Sequence, residues 1–261
     1  MALIQAEERE RIAKFHYRVD MISSLVGRLL LRGFAASILG LRNTETEFSR
    51  TERGRPVLVQ NSRGWDYNVS HAGDWVVIAA AQGARVGADV MKTRDTRVER
   101  IEEFFKLMRK QFTDQEWLSI HGDSADSSEL KLERFFRHWT LKESYVKTVG
   151  TGLNIDLRTL NFKIEEPLVV HNCVLTSTKL EVDQVPTFWL FEESFLDEEH
   201  VVSVAKDLLT ENNSDCDGVK FEELTIDKIF GLISSNEAGL LRKVDPSDFA
   251  TFSSKDHPKP F

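Results

Sequence analysis

The sequence predicts an α+β protein in which helices and short antiparallel strands alternate along the chain. Residues 6–39 carry apolar side chains at helical spacing, and residues 47–91 change to short alternating runs separated by turn residues. Helical spacing returns over 97–149, before strand-like runs over 159–205. This order of helix, strands, helices and strands predicts two similar halves that meet near residue 87.

The first helical segment, residues 6–39, is predicted by a continuous apolar stripe and is expected to be broken once. The stripe consists of Ile12, Phe15, Val19, Ile22, Val26, Leu29 and Leu30. Gly40 follows it as the expected C-terminal cap.

The strands of the first half are predicted from β-branched and aromatic residues between turn residues. They are Arg55–Val59, Trp65–Val69, Trp75–Ala81 and Arg85–Met91, and Gln82-Gly83-Ala84 is expected to join the last two as a hairpin. In the second half, helices are predicted at 97–110, 113–121 and 129–149, and strands near 159–164, 168–176, 186–192 and 200–205.

The chain is therefore divided into an N-terminal lobe of residues 1–86, a C-terminal lobe of 87–206 and an acidic tail of 207–261. Within the tail, Ile226–Ile233 fits one amphipathic helix, whereas Ser247–Phe261 has the polar composition of a disordered segment.

Composition excludes several classes of protein. Hydrophobic residues make up 41% and charged residues 29%, and no uninterrupted apolar run reaches the length of a membrane span. Two cysteines and an acidic N-terminus without a signal peptide predict a cytosolic protein. The net charge of −8, with basic residues only in local clusters, fits a small phosphorylated ligand or an acidic protein partner better than nucleic acid. The clusters are Arg50, Arg53, Arg55 and Arg63, and then Lys106, Arg109 and Lys110.

Glu143 is the first candidate site residue. On a helix it lies within about 40° of the apolar Phe136 and Trp139, so the carboxylate falls inside the apolar stripe. Lys147 follows one turn later on the same face. The plain alternative is a structural Glu–Lys ion pair, but a buried Glu beside a Lys is a candidate functional site.

Asp89 is the second candidate. Strand alternation places it on one face with Gly87 and Met91, although Asp is depleted in strands. The alternative is a strand-end Asp that binds only local backbone. Two such carboxylates together with arginines favour a site for a hard cation and phosphate.

These two carboxylates lie in motifs that resemble a known family. Gly87-Ala88-Asp89-Val90 and Trp139-Thr140-Leu141-Lys142-Glu143-Ser144-Tyr145-Val146-Lys147 resemble the paired signatures of the 4′-phosphopantetheinyl transferases of the large, surfactin type. The resemblance runs from about Glu8 to Lys206. It implies two lobes related by a pseudo-twofold axis, each a mainly antiparallel sheet with packed helices, and an active site between them.

The resemblance also implies the reaction and its residues. Such enzymes transfer the 4′-phosphopantetheine arm of coenzyme A to a serine of an apo acyl or peptidyl carrier protein and release 3′,5′-ADP. Asp89 and Glu143 would hold Mg2+, and Asp89, Glu143 and Lys147 would be catalytic, with Glu143 or a water it orients as the base. The implied coenzyme A site comprises Arg11, Arg50, Arg53, Gly54, Arg55, Asn68, Val69, Ser70, His71, Asp89, Glu143, Ser144, Tyr145, Val146 and Lys147.

The sequence departs from the family pattern in two places. Many members have a third acidic ligand where Met91 stands, and members usually begin with a strand ahead of the Arg11 helix. The missing strand leaves one alternative, a truncated paralogue that binds coenzyme A or carriers without turnover. A different Mg2+-dependent phosphotransferase or hydrolase is disfavoured, because neither GxxxxGK[ST] nor GxGxxG occurs. We further expect a monomer with no nucleic-acid or membrane partner.

Overall fold

A computed structural model describes residues 3–61, 64–94, 100–166, 173–207 and 221–235. Its helices are α1 (Ala6–Ala13), α2 (Arg18–Leu39), α3 (Ile101–Met108), α4 (Asp114–His121), α5 (Ser128–Val149) and α6 (Ile226–Ser234). Its strands are β1 (Phe48–Arg50), β2 (Pro56–Leu58), β3 (Trp65–Ala72), β4 (Trp75–Gln82), β5 (Val86–Lys92), β6 (Leu160–Lys163), β7 (Lys179–Val182), β8 (Val185–Pro186), β9 (Trp189–Phe195) and β10 (His200–Asp207). The α+β class is confirmed.

The chain forms two compact units, Met1–Gly64 with Glu222–Phe261, and Trp65–Phe221. The first unit contains α1, α2, the antiparallel pair β1–β2, and α6, which packs on α2. The predicted break falls between α1 and α2, and Gly40 ends α2 in the left-handed conformation with φ +69°. Gly40 is therefore the C-terminal cap that the sequence predicts.

Helix α2 is long and apolar enough to span a membrane by length and composition, with a mean hydropathy of 1.5 over its most apolar window. Half of that window is nevertheless buried, and Arg32 on this helix is buried in an ion pair with Glu8, with 3.1 Å between Nη2 and Oε2. Gln5, Asn43 and the carbonyl of Thr46 accept further hydrogen bonds from Arg32. These contacts are those of a core helix in a folded domain.

In the second unit, β3 and β4 form one hairpin, and β5, β10 and β9 form a separate antiparallel sheet with β10 in the centre. The prediction of a hairpin between β4 and β5 is wrong. The two-residue turn Gly73-Asp74 instead joins β4 to β3, and Gly73 provides the positive φ of +53° that such a turn requires. Two side chains of β3 reach the backbone of β5, since the Asp66 carboxylate and the Asn68 amide oxygen accept from the amides of Val86 and Ala88.

Helix α5 packs on β5 and β10 and contributes Leu141, Tyr145 and Val146 to the core of the second unit. In its N-terminal half, Phe135 of α5 joins an aromatic cluster with Phe105 of α3, Trp117 of α4 and Phe112, which lies between those two helices. Buried ion pairs fix α5 on two sides, because Lys142 bonds Glu116 at 2.9 Å and Arg137 bonds Glu193 at 2.7 Å. Lys142 also donates to the carbonyls of Leu157 and Leu160, so each of its three ammonium hydrogens has an acceptor.

The compact units divide the chain differently from the lobes that the sequence predicts. The predicted boundary at residues 86 and 87 separates β3 and β4 from β5, whereas these strands pack together in the structure. Part of the predicted tail is also ordered: α6 has the amphipathic helix expected at Ile226–Ile233 and belongs to the first unit. The predicted disordered stretch Ser247–Phe261 lies outside the described residues.

Candidate active site

Strand β5 supplies Asp89 from a face that packs on α5. Val86, Ala88 and Val90 point into an apolar cluster on the other face, as alternation predicts. On the α5 face, a Cβ at Gly87 would lie 2.3 Å from the Ser144 carbonyl oxygen. The glycine therefore allows α5 to approach the strand backbone, and this close approach brings the helix side chains to Asp89.

Helix α5 supplies Glu143 and Lys147, one turn apart on the face towards Asp89. The Ser127 hydroxyl caps the helix N-terminus by accepting from the Leu130 amide, and Gly150 ends the helix with φ +70°. The Lys147 Nζ lies 2.7 Å from the Asp89 Oδ1, with Asp89 buried and Lys147 partly exposed. Lys147 thus contacts Asp89 and also follows Glu143 by one helical turn.

Strand β3 adds Ser70, which the structure places against both charged groups. The Ser70 hydroxyl donates to the Asp89 Oδ1 over 2.9 Å and accepts from the Lys147 Nζ over 2.8 Å. Three elements, β3, β5 and α5, therefore each contribute one member of a closed hydrogen-bonded triangle.

The Asp89 charge lies close enough to Glu143 to affect the protonation of that carboxylate. Burial raises the pKa of Asp89 in spite of the opposing effects of Lys147 and Ser70. Burial also raises the pKa of Glu143, and the nearby Asp89 charge raises it further while Lys147 opposes this. Asp89 is buried, Glu143 is half-buried, and their negative charges repel each other. A cation would therefore stabilise this site.

The donor set fits a hard divalent cation. The Asp89 Oδ2 is buried and makes no hydrogen bond to any residue in the described part of the chain. Within the same part of the chain, no group of three or more His, Cys, Asp and Glu side chains is placed to hold a metal. Asp89 and Glu143 would therefore supply two oxygen ligands, and the remaining ligands of an ion such as Mg2+ would come from water or from a phosphorylated substrate.

Met91, which stands where the sequence analysis noted a third acidic ligand in related enzymes, is part of the core. It packs on the aromatic cluster of α3, α4 and α5. Its position adds apolar contacts between β5 and these helices and provides no oxygen ligand.

Other predicted site residues in the second unit have structural partners. The Asn68 amide oxygen accepts from the Ala88 backbone, and the Ser144 hydroxyl donates to the Leu141 carbonyl and contacts Ser203. Tyr145 and Val146 are core residues of α5 itself, and Val69 is half-buried. His71 is exposed at the end of β3. Ligand contacts from these residues stay predictions, and His71 has the accessibility that such a contact requires.

The predicted arginines lie in the first unit and are joined there by Arg28, which the sequence analysis missed. Burial, followed by the nearby charges of Arg50 and Arg11, lowers the pKa of Arg28 to about 10, although Glu8 opposes this. Burial and the Arg11 charge likewise lower the pKa of Arg50. Like charges held this close favour an anion beside them. Arg28 could have been noticed, together with Arg32, as a basic residue within the apolar stretch of α2.

The arginine-rich turn itself is held by one of its own side chains. Arg50 donates to the Gly54 carbonyl over 2.6 Å, and Gly54 has φ +82°, a conformation that favours glycine. Arg53 is exposed and Arg55 half-buried. The turn therefore presents cationic side chains on a constrained backbone.

Comparison with known proteins identifies the family. Residues 1–83 match the family model described as 4′-phosphopantetheinyl transferase, N-terminal, and residues 85–205 match the model of the 4′-phosphopantetheinyl transferase superfamily. The chain is 37% identical over 206 residues to the L-aminoadipate-semialdehyde dehydrogenase-phosphopantetheinyl transferase of Xenopus laevis, an alignment that covers 77% of this chain and 68% of that protein. The chain belongs to the 4′-phosphopantetheinyl transferase superfamily.

More distant members agree with this assignment. A phosphopantetheinyl transferase of Thraustochytrium is 36% identical over 208 residues, covering 77% of this chain and 69% of that protein. The 4′-phosphopantetheinyl transferase ffp of Bacillus subtilis is 28% identical over 166 residues, covering 64% and 69%. The resemblance noted from the two signatures is thereby confirmed, and the chain is a transferase of the 4′-phosphopantetheine group.

The superfamily matches also bear on the division of the chain. They meet at residues 83–85, close to the predicted lobe boundary and distant from the division into compact units at Gly64 and Trp65. The lobe boundary stays a prediction. Helix α6 lies beyond the region that these matches cover.

Proposed function

We propose that this phosphopantetheinyl transferase uses coenzyme A as its donor and an apo carrier protein as its acceptor, with Mg2+ held by Asp89 and Glu143. The observation that carries the proposal is the buried Asp89, whose Oδ1 is bonded by Ser70 and Lys147 while its Oδ2 has no hydrogen-bond partner in the described part of the chain. When bound, the ion would supply positive charge that stabilises the diphosphate of coenzyme A and its leaving oxygen.

In the proposed reaction the carrier serine oxygen bonds to the β-phosphorus of coenzyme A. The bond from that phosphorus to the bridging oxygen breaks, and 3′,5′-ADP leaves. Glu143, or a water that it orients, accepts the serine proton. A carboxylate that holds a metal ion is a weak base, so a water relay is an equal candidate for this step. Lys147 stabilises the negative charge that develops on the departing 5′-phosphate of 3′,5′-ADP.

The arginines of the first unit are proposed to bind the phosphates of the nucleotide. Burial and the charges of Arg50 and Arg11 lower the pKa of Arg28, and burial and the Arg11 charge lower the pKa of Arg50. These arginines form a cationic group beside the turn at Gly54. Arg53, Arg55 and the exposed His71 are the candidates for the 3′-phosphate. If one of them contacts that phosphate, its removal should cost on the order of 1–3 kcal/mol with coenzyme A and much less with dephospho-coenzyme A. Equal losses with both ligands would assign the residue a structural role.

The carrier protein is proposed to dock on the exposed basic residues that end α3. Lys106, Arg109 and Lys110 are exposed there, and the apolar Leu107 on α3 and Leu118 on α4 are 81% and 74% exposed. An acidic carrier surface with apolar side chains would match this combination. We further propose that the protein acts in the cytosol as a monomer, without nucleic-acid or membrane partners.

Mass spectrometry of an apo carrier tests the function directly. Incubation with coenzyme A, Mg2+ and this protein should add the mass of one phosphopantetheine arm. Asp89→Ala and Glu143→Ala should reduce the rate of transfer to background while the circular dichroism spectrum is retained. Full turnover of the wild type in excess chelator would exclude the metal, and coenzyme A binding without any transfer would support the non-catalytic alternative.

A further inference from the structure

Ser70 has a different role in the structure from the one that its sequence context implies. Its hydroxyl lies 2.9 Å from the Asp89 Oδ1 and 2.8 Å from the Lys147 Nζ, and the residue is 6% exposed. Lys147 also reaches the same Asp89 oxygen over 2.7 Å. Both polar partners of the serine are therefore protein groups.

The single hydrogen of the Ser70 hydroxyl decides whether this residue donates to Asp89 or to a phosphate oxygen. A serine hydroxyl has one hydrogen to donate. Lys147 as an ammonium group has only hydrogens to offer, so the serine must accept from it and direct its own hydrogen to Asp89. In this arrangement Ser70 has no hydrogen left for a phosphate oxygen, which is the role that the resemblance implies.

The two oxygens of Asp89 differ as a consequence. Oδ1 accepts from Ser70 and Lys147, whereas Oδ2 is buried and has no hydrogen-bond partner among the described residues. A buried carboxylate oxygen without a donor is unfavourable unless another positive group takes its place. The side-chain contacts thus leave one oxygen for an ion and assign the other to the protein.

We infer that Ser70 is a positioning residue for the metal: with Lys147 it holds the Asp89 Oδ1, so that Oδ2 alone is presented to the ion. This inference rests on the proposed function, since it takes Asp89 as a metal ligand. Groups that hydrogen-bond a metal ligand orient it, and their loss typically weakens metal binding by about 10- to 100-fold.

Direct metal titration of Ser70→Ala tests this inference. Mn2+ is the probe, and free Mn2+ is measured by its electron paramagnetic resonance signal in the presence of saturating coenzyme A. We expect Ser70→Ala to weaken Mn2+ binding by about 10- to 100-fold. Because the serine does not contact phosphate in this arrangement, coenzyme A binding in excess chelator should stay within about twofold of the wild type. Ser70→Thr, which keeps a hydroxyl on a β-strand, should retain Mn2+ binding.

Ser203→Ala provides a matched control. Ser203 lies opposite Asp89 in the β5–β10 register, is equally buried, and contacts Ser144 with its hydroxyl. Its removal should leave the Mn2+ affinity unchanged. If Ser70→Ala fails to fold by circular dichroism, Ser70→Cys replaces it, because a thiol of similar size is a weaker donor and should also weaken Mn2+ binding.

The outcomes separate this inference from the proposed function. Wild-type Mn2+ affinity in Ser70→Ala would overturn the positioning role, and weakened coenzyme A binding in chelator would return Ser70 to the phosphate. Equal weakening by Ser203→Ala would assign the effect to general packing. If the wild type binds no Mn2+ or Asp89→Ala binds it normally, the proposed metal site itself is wrong, whatever the serine variants do.

Discussion

At the scale of single residues, the site places charged groups where they lower stability. Glu143 is half-buried, and both burial and the Asp89 charge raise its pKa, with Lys147 opposing them only in part. Above the ordinary pKa of a glutamate, the folded protein therefore bears a free-energy cost that the unfolded chain avoids. Residues retained at such a cost are typical of functional sites.

Glu143→Gln should therefore stabilise the protein at neutral pH while it abolishes transfer. The folded-state pKa is raised, so the carboxylate lowers stability once the pH exceeds the unfolded value near 4.5. We expect the free energy of unfolding to rise by about 1 kcal/mol at pH 7. The gain should shrink as the pH falls towards 4, where the glutamate is protonated in both states. Urea denaturation at several pH values measures it.

Glu102→Gln is the control for this pH dependence. Glu102 is an exposed glutamate in the first turn of α3. Its replacement should change the free energy of unfolding by less than about 0.5 kcal/mol, both at pH 7 and near pH 4. A Glu143→Gln protein that is less stable than the wild type at pH 7 would mean that the attraction of Lys147 outweighs burial.

At the scale of secondary-structure elements, the contact between β5 and α5 builds the site. A Cβ at Gly87 would come within 2.5 Å of the Thr148 amide nitrogen and still nearer to the Ser144 carbonyl. These are backbone atoms of α5 and cannot rotate away. Any side chain at position 87 must therefore push the helix, and with it Lys147, away from the strand that carries Asp89.

Gly87→Ala should accordingly destabilise the protein and slow transfer, although the substitution touches no charged group. Overpacking of this kind typically costs about 1–3 kcal/mol in the free energy of unfolding. Gly231→Ala is the matched control, because its Cβ in α6 meets no atom within 4 Å and alanine is the better helix former. Chemical denaturation should show a loss for the first variant and no loss for the second.

The exposed basic end of α3 gives the second prediction at this scale. Arg109 already pairs with Asp114 and lies over the Trp117 ring, so Lys106 and Lys110 offer the less compensated charges. Under the docking proposal, Lys106→Glu with Lys110→Glu should raise the KM for the apo carrier, and more so at low salt. Coenzyme A binding should not change. An unchanged carrier KM at low ionic strength would mean that the charges only favour the helix C-terminus.

Local patterns predicted the elements better than their pairing. Helix α5 runs within one residue of its predicted bounds, since its apolar stripe, Ser127 and Gly150 are all local signals. The partner of β5 is β10, more than a hundred residues away, and no local signal specifies it. Buried pairs such as Lys142 with Glu116 were missed for the same reason, because each partner by itself has the sequence context of a surface residue.

For the site, the sequence likewise predicted single residues but not the contacts between them. Asp89, Glu143 and Lys147 were found because a carboxylate within an apolar pattern is unusual in any fold, and the structure brings Asp89 and Lys147 into contact. The bond from Ser70 to Asp89 could not be predicted, since it requires that the side chains of β3 face β5. Arg28 was missed because its neighbours Arg11 and Arg50 come from separate elements.

At the scale of the whole molecule, the first unit is completed by a segment from far along the chain. Helix α6 packs on α2, and its Ile229 and Ile233 are 3% and 0% exposed. Thr225 caps the helix by accepting from the Lys228 amide. The superfamily matches end at residue 205, so α6 completes this unit from outside the matched region.

Truncation tests whether the first unit depends on α6. A chain that ends at Asp207 would expose the face of α2 that α6 covers, and should unfold at lower denaturant concentration than the full chain or a chain that ends at Ser235. Ile233→Ala makes the same test without truncation and should cost about 2–4 kcal/mol, because it leaves a cavity under a fully buried side chain. Ile226→Ala is the control, since Ile226 on the same helix is 44% exposed and should cost less than about 1 kcal/mol. Because α2 also carries Arg28, loss of α6 should weaken coenzyme A binding together with stability. Equal stability of the chains ending at Asp207 and Ser235 would show that α2 folds without this helix.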